Sequence, residues 1–291
     1  MKQKTFLILF AISALFFSSN AKASTILTSQ QIEILQREVL VLRSLVENYN
    51  LQQAINSPAY IAIDLSDNSV ILEKNQNKSY PIASVTKLMN ATIALENINM
   101  DETITLTDEM LSPLGQTPCL FSRLKISAKN LLKATLTQSS NDAAQALSFF
   151  IGNENFLTLM NKKAKELEME DTVYYDVYGL NSANHSTASD LAKLVSYINQ
   201  NYPEIWEITK DNDFWLPNSE GTLLKFQNVN NFYYLENFIG GKTGYTTEAK
   251  QTFASVFKVG KKPVAITLLY SQNRMADIFS ILRELKNKIT F

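Results

Sequence analysis

The sequence predicts an α+β fold, in which one antiparallel sheet is built from strands at both ends of the domain and flanked by helices, with a mainly helical lobe between. Three observations predict it. Strand-like alternation broken by polar turns occurs near residue 60 and again near residue 260. The intervening chain carries apolar residues at three- and four-residue spacing, the period of helices packed on a core. No repeat, low-complexity tract or proline-rich linker divides 57–291, so that stretch reads as one domain, with room for two lobes.

The first hairpin is Tyr60-Ile61-Ala62-Ile63-Asp64-Leu65, the turn Ser66-Asp67-Asn68-Ser69, and Val70-Ile71-Leu72. Helices are expected over Ser84–Glu96, Ala128–Gln138, Asp142–Phe150, Glu154–Leu167 and Thr187–Asn199. The second hairpin is Phe253–Phe257, a turn at Val259–Pro263, and Val264–Leu269, followed by a helix over Met275–Lys288.

Before this domain the chain carries two further signals. Lys2 and Lys4 precede an apolar run from Phe6 to Phe17, then Ala21-Lys22-Ala23. Such a run is shorter than a membrane span and reads as a secretory signal peptide over 1–23, giving an exported, periplasmic or extracellular protein; an uncleaved anchor is the alternative. Within the segment 24–56, Ile32, Leu35, Val39, Leu42, Val46 and Tyr49 form the apolar stripe of an amphipathic helix over 29–50. It either folds back on the core or associates with a partner or a second copy.

Composition excludes several classes. With 27 basic and 28 acidic residues, the net charge of −1 gives no field for nucleic acid. The single Cys119 forbids an intramolecular disulfide and reads as a packed apolar residue. A thiol protease would need His185, the only histidine, as its base. One cysteine and one histidine also leave too few ligands for zinc, and neither a metal nor another cofactor is expected.

Three constellations carry chemistry. In Pro81-Ile82-Ala83-Ser84-Val85-Thr86-Lys87, a three-residue helical spacing brings the Ser84 hydroxyl and the Lys87 amine onto one face. Lysine can activate serine only if desolvation or nearby positive charge lowers its pKa. Ser139-Ser140-Asn141-Asp142 lies between two expected helices, where Ser139 can relay a proton and Asn141 can hold a carbonyl or the lysine amine. Gly240-Gly241-Lys242-Thr243-Gly244-Tyr245-Thr246 offers a cation at Lys242, a hydroxyl at Thr243 and close backbone approach at Gly244. Taken singly, these read as well as an N-cap serine, helix capping and a glycine-rich turn.

Taken in order, Ser-x-x-Lys, Ser-x-Asn and Lys-Thr-Gly resemble the motif set of penicillin-binding proteins and class A β-lactamases. With Leu131 to Leu147 and Gly179-Leu180 through Leu191 added, the chain from about Ser57 to Lys288 resembles the low-molecular-mass penicillin-binding proteins, the serine D-alanyl-D-alanine carboxypeptidases of peptidase family S11. The resemblance implies a β-lactamase/transpeptidase-like fold and action on peptidoglycan stem peptides through an acyl-enzyme, with β-lactams as inhibitors. It implies Ser84 as nucleophile, Lys87 as base, Ser139 as proton shuttle and Asn141 as the residue positioning Lys87 and the substrate amide. Lys242 and Thr243 would meet the terminal carboxylate, and the Ser84 and Tyr245 amides, the latter just past Gly244, would form an oxyanion hole.

Departures from the family pattern are Lys250 after Ala249, where a glycine is usual, and no expected C-terminal β-domain or anchoring helix. Phe121-Ser122-Arg123 is similar to a segment of the shorter, endopeptidase-like branch. The main reading is a carboxypeptidase, the alternative an endopeptidase cutting D-alanyl crosslinks. Three rivals are a Ser-His-Asp hydrolase using His185, a β-lactamase, which lacks its Glu-x-x-Leu-Asn here, and a non-catalytic peptidoglycan-binding protein.

Overall fold

Strands from the two ends of the domain meet in a single sheet. In the computed structural model, residues 54–289 are described apart from 116, 118, 119 and 218–222. The expected signal peptide, the 29–50 helix and Cys119 lie outside the described residues. Ala59–Asp64 (β1) pairs with Val70–Lys74 (β2) on one side and with Lys262–Ser271 (β11) on the other. Lys250–Val259 (β10) joins β11 to Phe238–Thr246 (β9), so the order is β2-β1-β11-β10-β9, antiparallel throughout.

Successive residues of a strand face opposite ways, and here both faces are apolar. Ile61, Ile63, Ala254, Val256 and Leu269 point to the helical lobe, while Phe253, Phe257, Ile266 and Leu268 point to the other side. That second face is closed by Arg274–Ile289 (α7), whose Ile278, Ile281 and Leu285 are fully buried. Phe232 stacks on Phe253 with ring centroids 4.8 Å apart, anchoring the approach to β9.

The first face carries the helices. A 3₁₀ turn at Ala83–Val85 runs into Thr86–Asn97 (α1), which is buried along its first nine residues and forms the centre of the lobe. Around it lie Ala128–Thr137 (α2), Asn141–Ser148 (α3), Asn153–Glu166 (α4), Ala188–Asn201 (α5) and Glu204–Lys210 (α6). Capping follows the sequence: Ser127, Ser140 and Thr187 accept from the amides of Asn130, Ala143 and Asp190, each cap contributing about 1 kcal/mol. Short pairs tie the lobe together: Tyr80–Pro81 (β3) with His185–Ser186 (β6), and Thr103–Thr105 (β4) with Lys125–Ser127 (β5).

Several elements depart from the sequence expectation. The helix expected from Ser84 begins with a 3₁₀ turn because Ala83 adopts φ +49°, which bends the chain into the helix. The hairpin Asp213–Pro217 (β7) and Leu223–Gln227 (β8) and the short α6 have no expected counterpart. Gly240 and Gly241 lie within strand β9. A Cβ on Gly240 would lie 2.6 Å from the Trp206 backbone, and one on Gly241 2.6 Å from Ser255 Cβ, so these glycines serve close packing of β9 against α6 and β10.

Candidate active site

Three separate segments converge where α1 starts. The spacing of Ser84 and Lys87 across the 3₁₀-to-α junction sets Lys87 Nζ 3.0 Å from Ser84 Oγ. Nζ also donates to Asn141 Oδ1 at 2.7 Å and to the Tyr178 carbonyl at 2.6 Å, so all three donors of an ammonium are matched. Lys87 is wholly buried, and burial lowers its pKa from 10.5 to about 7; the negative charge of Asp176 works in the opposite direction. Half of the amine is therefore unprotonated near neutral pH, and its lone pair faces a half-buried serine hydroxyl.

Asn141 reaches this point because it opens α3, with its Nδ2 fixed on the Leu114 carbonyl at 2.6 Å. Ser139 precedes the Ser140 cap in a left-handed conformation, φ +60°. There Lys242 Nζ, on the edge strand β9, donates to Ser139 Oγ at 2.9 Å. Lys242 is also buried and donates to the Thr243 carbonyl at 2.9 Å. Burial, then the charges of Lys87 and Arg274, hold its pKa well below the usual lysine value. Like-charge repulsion thus acts chiefly on Lys242; for Lys87 the leading cause is loss of water.

Two glycines bring the walls against Ser84. A Cβ on Gly179, which has φ +95°, would lie 2.1 Å from the Ala83 carbonyl oxygen and 3.0 Å from the Ser84 nitrogen. A Cβ on Gly244 would lie 2.9 Å from that same nitrogen and 2.4 Å from Thr252 Oγ1. Gly244 thus makes room for the protein's own backbone as β9 passes Ser84. Thr243 is buried beside it and Tyr245 is exposed at the mouth.

Several contributors were not singled out from sequence. The Tyr178 carbonyl is held by Asp176, whose Oδ1 accepts from the amides of Tyr178 at 3.0 Å and Gly179 at 2.5 Å. Thr252 Oγ1 donates to the Ile82 carbonyl at 2.9 Å, tying β10 to the segment that carries Ser84. Arg274 Nη1 donates to the carbonyls of Gly244 and Thr252, both at 3.1 Å. Only Gly179 left a readable signal: with 8 glycines in 291 residues, each marks a place where a side chain is costly.

The rivals fare worse. His185 Nδ1 lies 3.2 Å from Ser79 Oγ and 3.2 Å from the Asp171 carbonyl, so its ring serves the β3–β6 junction rather than Ser84. Asp176, the carboxylate whose charge reaches Lys87, is engaged by backbone amides through both oxygens. Lys250, the departure from the glycine expected there, takes φ +54°, a left-handed conformation costing a non-glycine residue about 1 kcal/mol.

Known proteins resemble this chain in sequence and in fold. A profile of peptidase S11, D-alanyl-D-alanine carboxypeptidase, matches residues 46–273. The chain is 33% identical over 230 residues to a D-alanyl-D-alanine endopeptidase of Escherichia coli K12, covering 75% of this chain and 72% of that one. It shares the fold of a D-alanyl-D-alanine carboxypeptidase from Mycobacterium tuberculosis H37Rv, with TM-score 0.75 at 24% identity over 82% of this chain and 92% of that one. Penicillin-binding protein D2 from Listeria monocytogenes, solved in a cefotaxime-bound form, matches with TM-score 0.68 at 27% identity, over 81% of this chain and 99% of that one. With the family profile spanning most of its length and the fold in common, this chain belongs to the D-alanyl-D-alanine carboxypeptidase family, peptidase S11.

Proposed function

We propose that 57–291 is an exported serine DD-peptidase domain that cuts D-alanyl bonds of peptidoglycan stem peptides through an ester on Ser84. The observation carrying this reading is the buried Lys87 amine, 3.0 Å from Ser84 Oγ and with its pKa lowered to about 7. Neutral Lys87 takes the Ser84 proton as Oγ attacks the D-alanyl carbonyl carbon. The backbone amides of Ser84 and Tyr245 stabilise the developing oxyanion, a contribution of about 3 kcal/mol per donor in comparable sites. As the C–N bond breaks, Ser139 gives its hydroxyl proton to the departing nitrogen and takes one in turn from the Lys87 ammonium, which leaves Lys87 neutral again. Asn141 holds Lys87 in line and contacts the substrate amide. Water then attacks the ester, with Lys87 again as base, releasing the shortened peptide acid and restoring Ser84. β-Lactams enter the same pathway as substrate mimics.

A terminal carboxylate on the leaving side is met by Lys242 and Thr243. Its arrival supplies the counter-charge that restores the proton to Lys242. Lys242→Gln is expected to lower kcat/KM on a D-Ala-D-Ala peptide by about 1.5–3 kcal/mol, the range for a charged hydrogen bond, and to affect the C-terminal amide much less. Equal losses on both substrates would remove Lys242 from carboxylate binding.

Carboxypeptidase and endopeptidase actions share this chemistry and differ in the leaving group. Cutting of crosslinks is favoured by the 33% identity to an endopeptidase. Mass spectrometry of monomeric pentapeptides and crosslinked dimers after incubation decides: loss of one alanine mass from monomers marks the first action, conversion of dimers to monomers the second. A protein inert toward both is not a DD-peptidase. The signal peptide over 1–23 and the role of 24–56 belong to this reading as well; among the described residues, no helix is long and apolar enough to cross a membrane.

A further inference from the structure

Eight large apolar residues are well exposed among those described, and three of them, Trp215, Leu223 and Val229, belong to one short stretch. That stretch is the β7–β8 hairpin and its exit. Trp215 pairs with Lys225 and Pro217 with Leu223, so positions 215, 217, 223 and 225 share one face of the ladder. On that face Trp215 is 55% and Leu223 59% exposed, and the Lys225 ammonium lies 5.9 Å from the Trp215 ring centroid. An exposed tryptophan beside an exposed leucine is the composition of a binding surface rather than of an ordinary solvated strand.

The base of the hairpin fixes where this face stands. Val229 N donates to the Thr137 carbonyl at 3.0 Å, two residues before Ser139. Asn228 Nδ2 donates to the carbonyls of Thr209 and Asp211, both at 2.7 Å, and Asn230 Nδ2 to the Gly241 carbonyl at 2.9 Å, one residue before Lys242. The arm is therefore rooted between the two walls that present Ser139 and Lys242 to each other. These are the residues assigned to the leaving group under the proposed function, on which the following step rests.

We infer that the Trp215–Leu223–Lys225 face holds the strand that departs when a crosslinked substrate is cut, making the arm a specificity element for crosslinks. A departing D-alanine is one residue, at most about 3.6 Å of chain, whereas each arm strand has five residues and spans about 17 Å. Only a leaving group that continues as a second stem peptide reaches from Lys242 along the arm. Its aliphatic segments fit Trp215 and Leu223, and its carboxylates complement Lys225.

The test compares kcat/KM on a crosslinked muropeptide dimer and on a monomeric pentapeptide, for wild type, Trp215→Ala, Leu223→Ser and Lys225→Glu, with benzylpenicillin acylation as a control for an intact site. The expected result is a loss of about tenfold or more on the dimer for Trp215→Ala, the scale of a hot-spot truncation, carried by KM. Monomer turnover and acylation stay within about twofold, since no leaving strand engages the arm. Lys225→Glu, an exposed charge reversal compatible with folding, lowers dimer turnover in a salt-dependent manner. Equal losses on dimer and monomer, or no loss on either, overturn the inference. So does a wild type that cuts monomers but not dimers, whereas a wild type inert toward both overturns the proposed function itself. Sedimentation showing a dimer of this chain that Trp215→Ala dissolves assigns the face to a second copy and likewise overturns it.

Discussion

Benzylpenicillin is expected to add its full mass once to the wild-type protein and not at all to Ser84→Ala. When Ser84 Oγ attacks the lactam carbonyl, the ring C–N bond opens, but the nitrogen remains tethered to the acyl group. Nothing leaves, and the adduct equals the intact inhibitor. The tethered fragment stands where water must approach, so the ester persists long enough for intact-mass analysis. Ser84→Ala removes the hydroxyl in hydrogen-bond contact with Lys87 Nζ. Turnover of a D-Ala-D-Ala peptide should fall with it, by at least about 10³-fold, the scale of nucleophile loss in serine enzymes. The side chain is small and half-buried, so stability should change by less than about 1 kcal/mol, and lost activity is separable from lost fold. An adduct persisting on Ser84→Ala places the acylated residue elsewhere.

How much of this was legible in the sequence follows from range. Hairpins and amphipathic helices are encoded by neighbours two to four residues apart, so β1–β2, β10–β11 and the helices from α1 to α5 and α7 were readable from periodicity and caps. The β7–β8 hairpin was not, because its tip carries none of the usual two-residue turn pairs and Pro217 reads as a breaker. β9 was obscured for a different reason: its three glycines satisfy contacts with Trp206, Ser255 and Ser84, and none of these is near in sequence.

The site divides the same way. Ser84 and Lys87 declare themselves by a spacing that a helix turns into contact, and Asn141 and Lys242 were readable only through the order of the motifs. Which partner each would take was not encoded locally. Across a left-handed turn at Ser139, the Ser139 hydroxyl meets Lys242 while Asn141, at the start of α3, meets Lys87. The Tyr178 carbonyl could not be read at all, since any residue supplies a carbonyl. Only the loop held by Asp176, with Gly179 against Ser84, brings that oxygen within 2.6 Å of the amine.

Lys87→Arg is expected to slow acylation by at least about a hundredfold, the lower range for losing a general base. In the wild type the reactive form is the neutral amine, and its fraction rises with pH. Because burial has lowered the pKa to about 7, the acylation rate constant should rise roughly tenfold per pH unit below 7 and level off above it. A solvated lysine, at 10.5, would leave under one part in a thousand of the amine neutral at pH 7. Arginine keeps the charge but holds its proton throughout this range, so it cannot accept one from Ser84. It must also fit a planar fork among Ser84 Oγ, Asn141 Oδ1 and the Tyr178 carbonyl, a space now filled by a single ammonium. Lys87→Met separates the two effects: one heavy atom shorter and unbranched, it removes both charge and base, and should be as slow as arginine if base catalysis is what matters. The measurement is the second-order rate constant for benzylpenicillin acylation between about pH 5 and 9, read for all three proteins. A wild-type profile without a limb near 7, or an arginine variant within tenfold of wild type, would remove Lys87 from the proton transfer and leave it as a buried support for Asn141 and the Tyr178 loop.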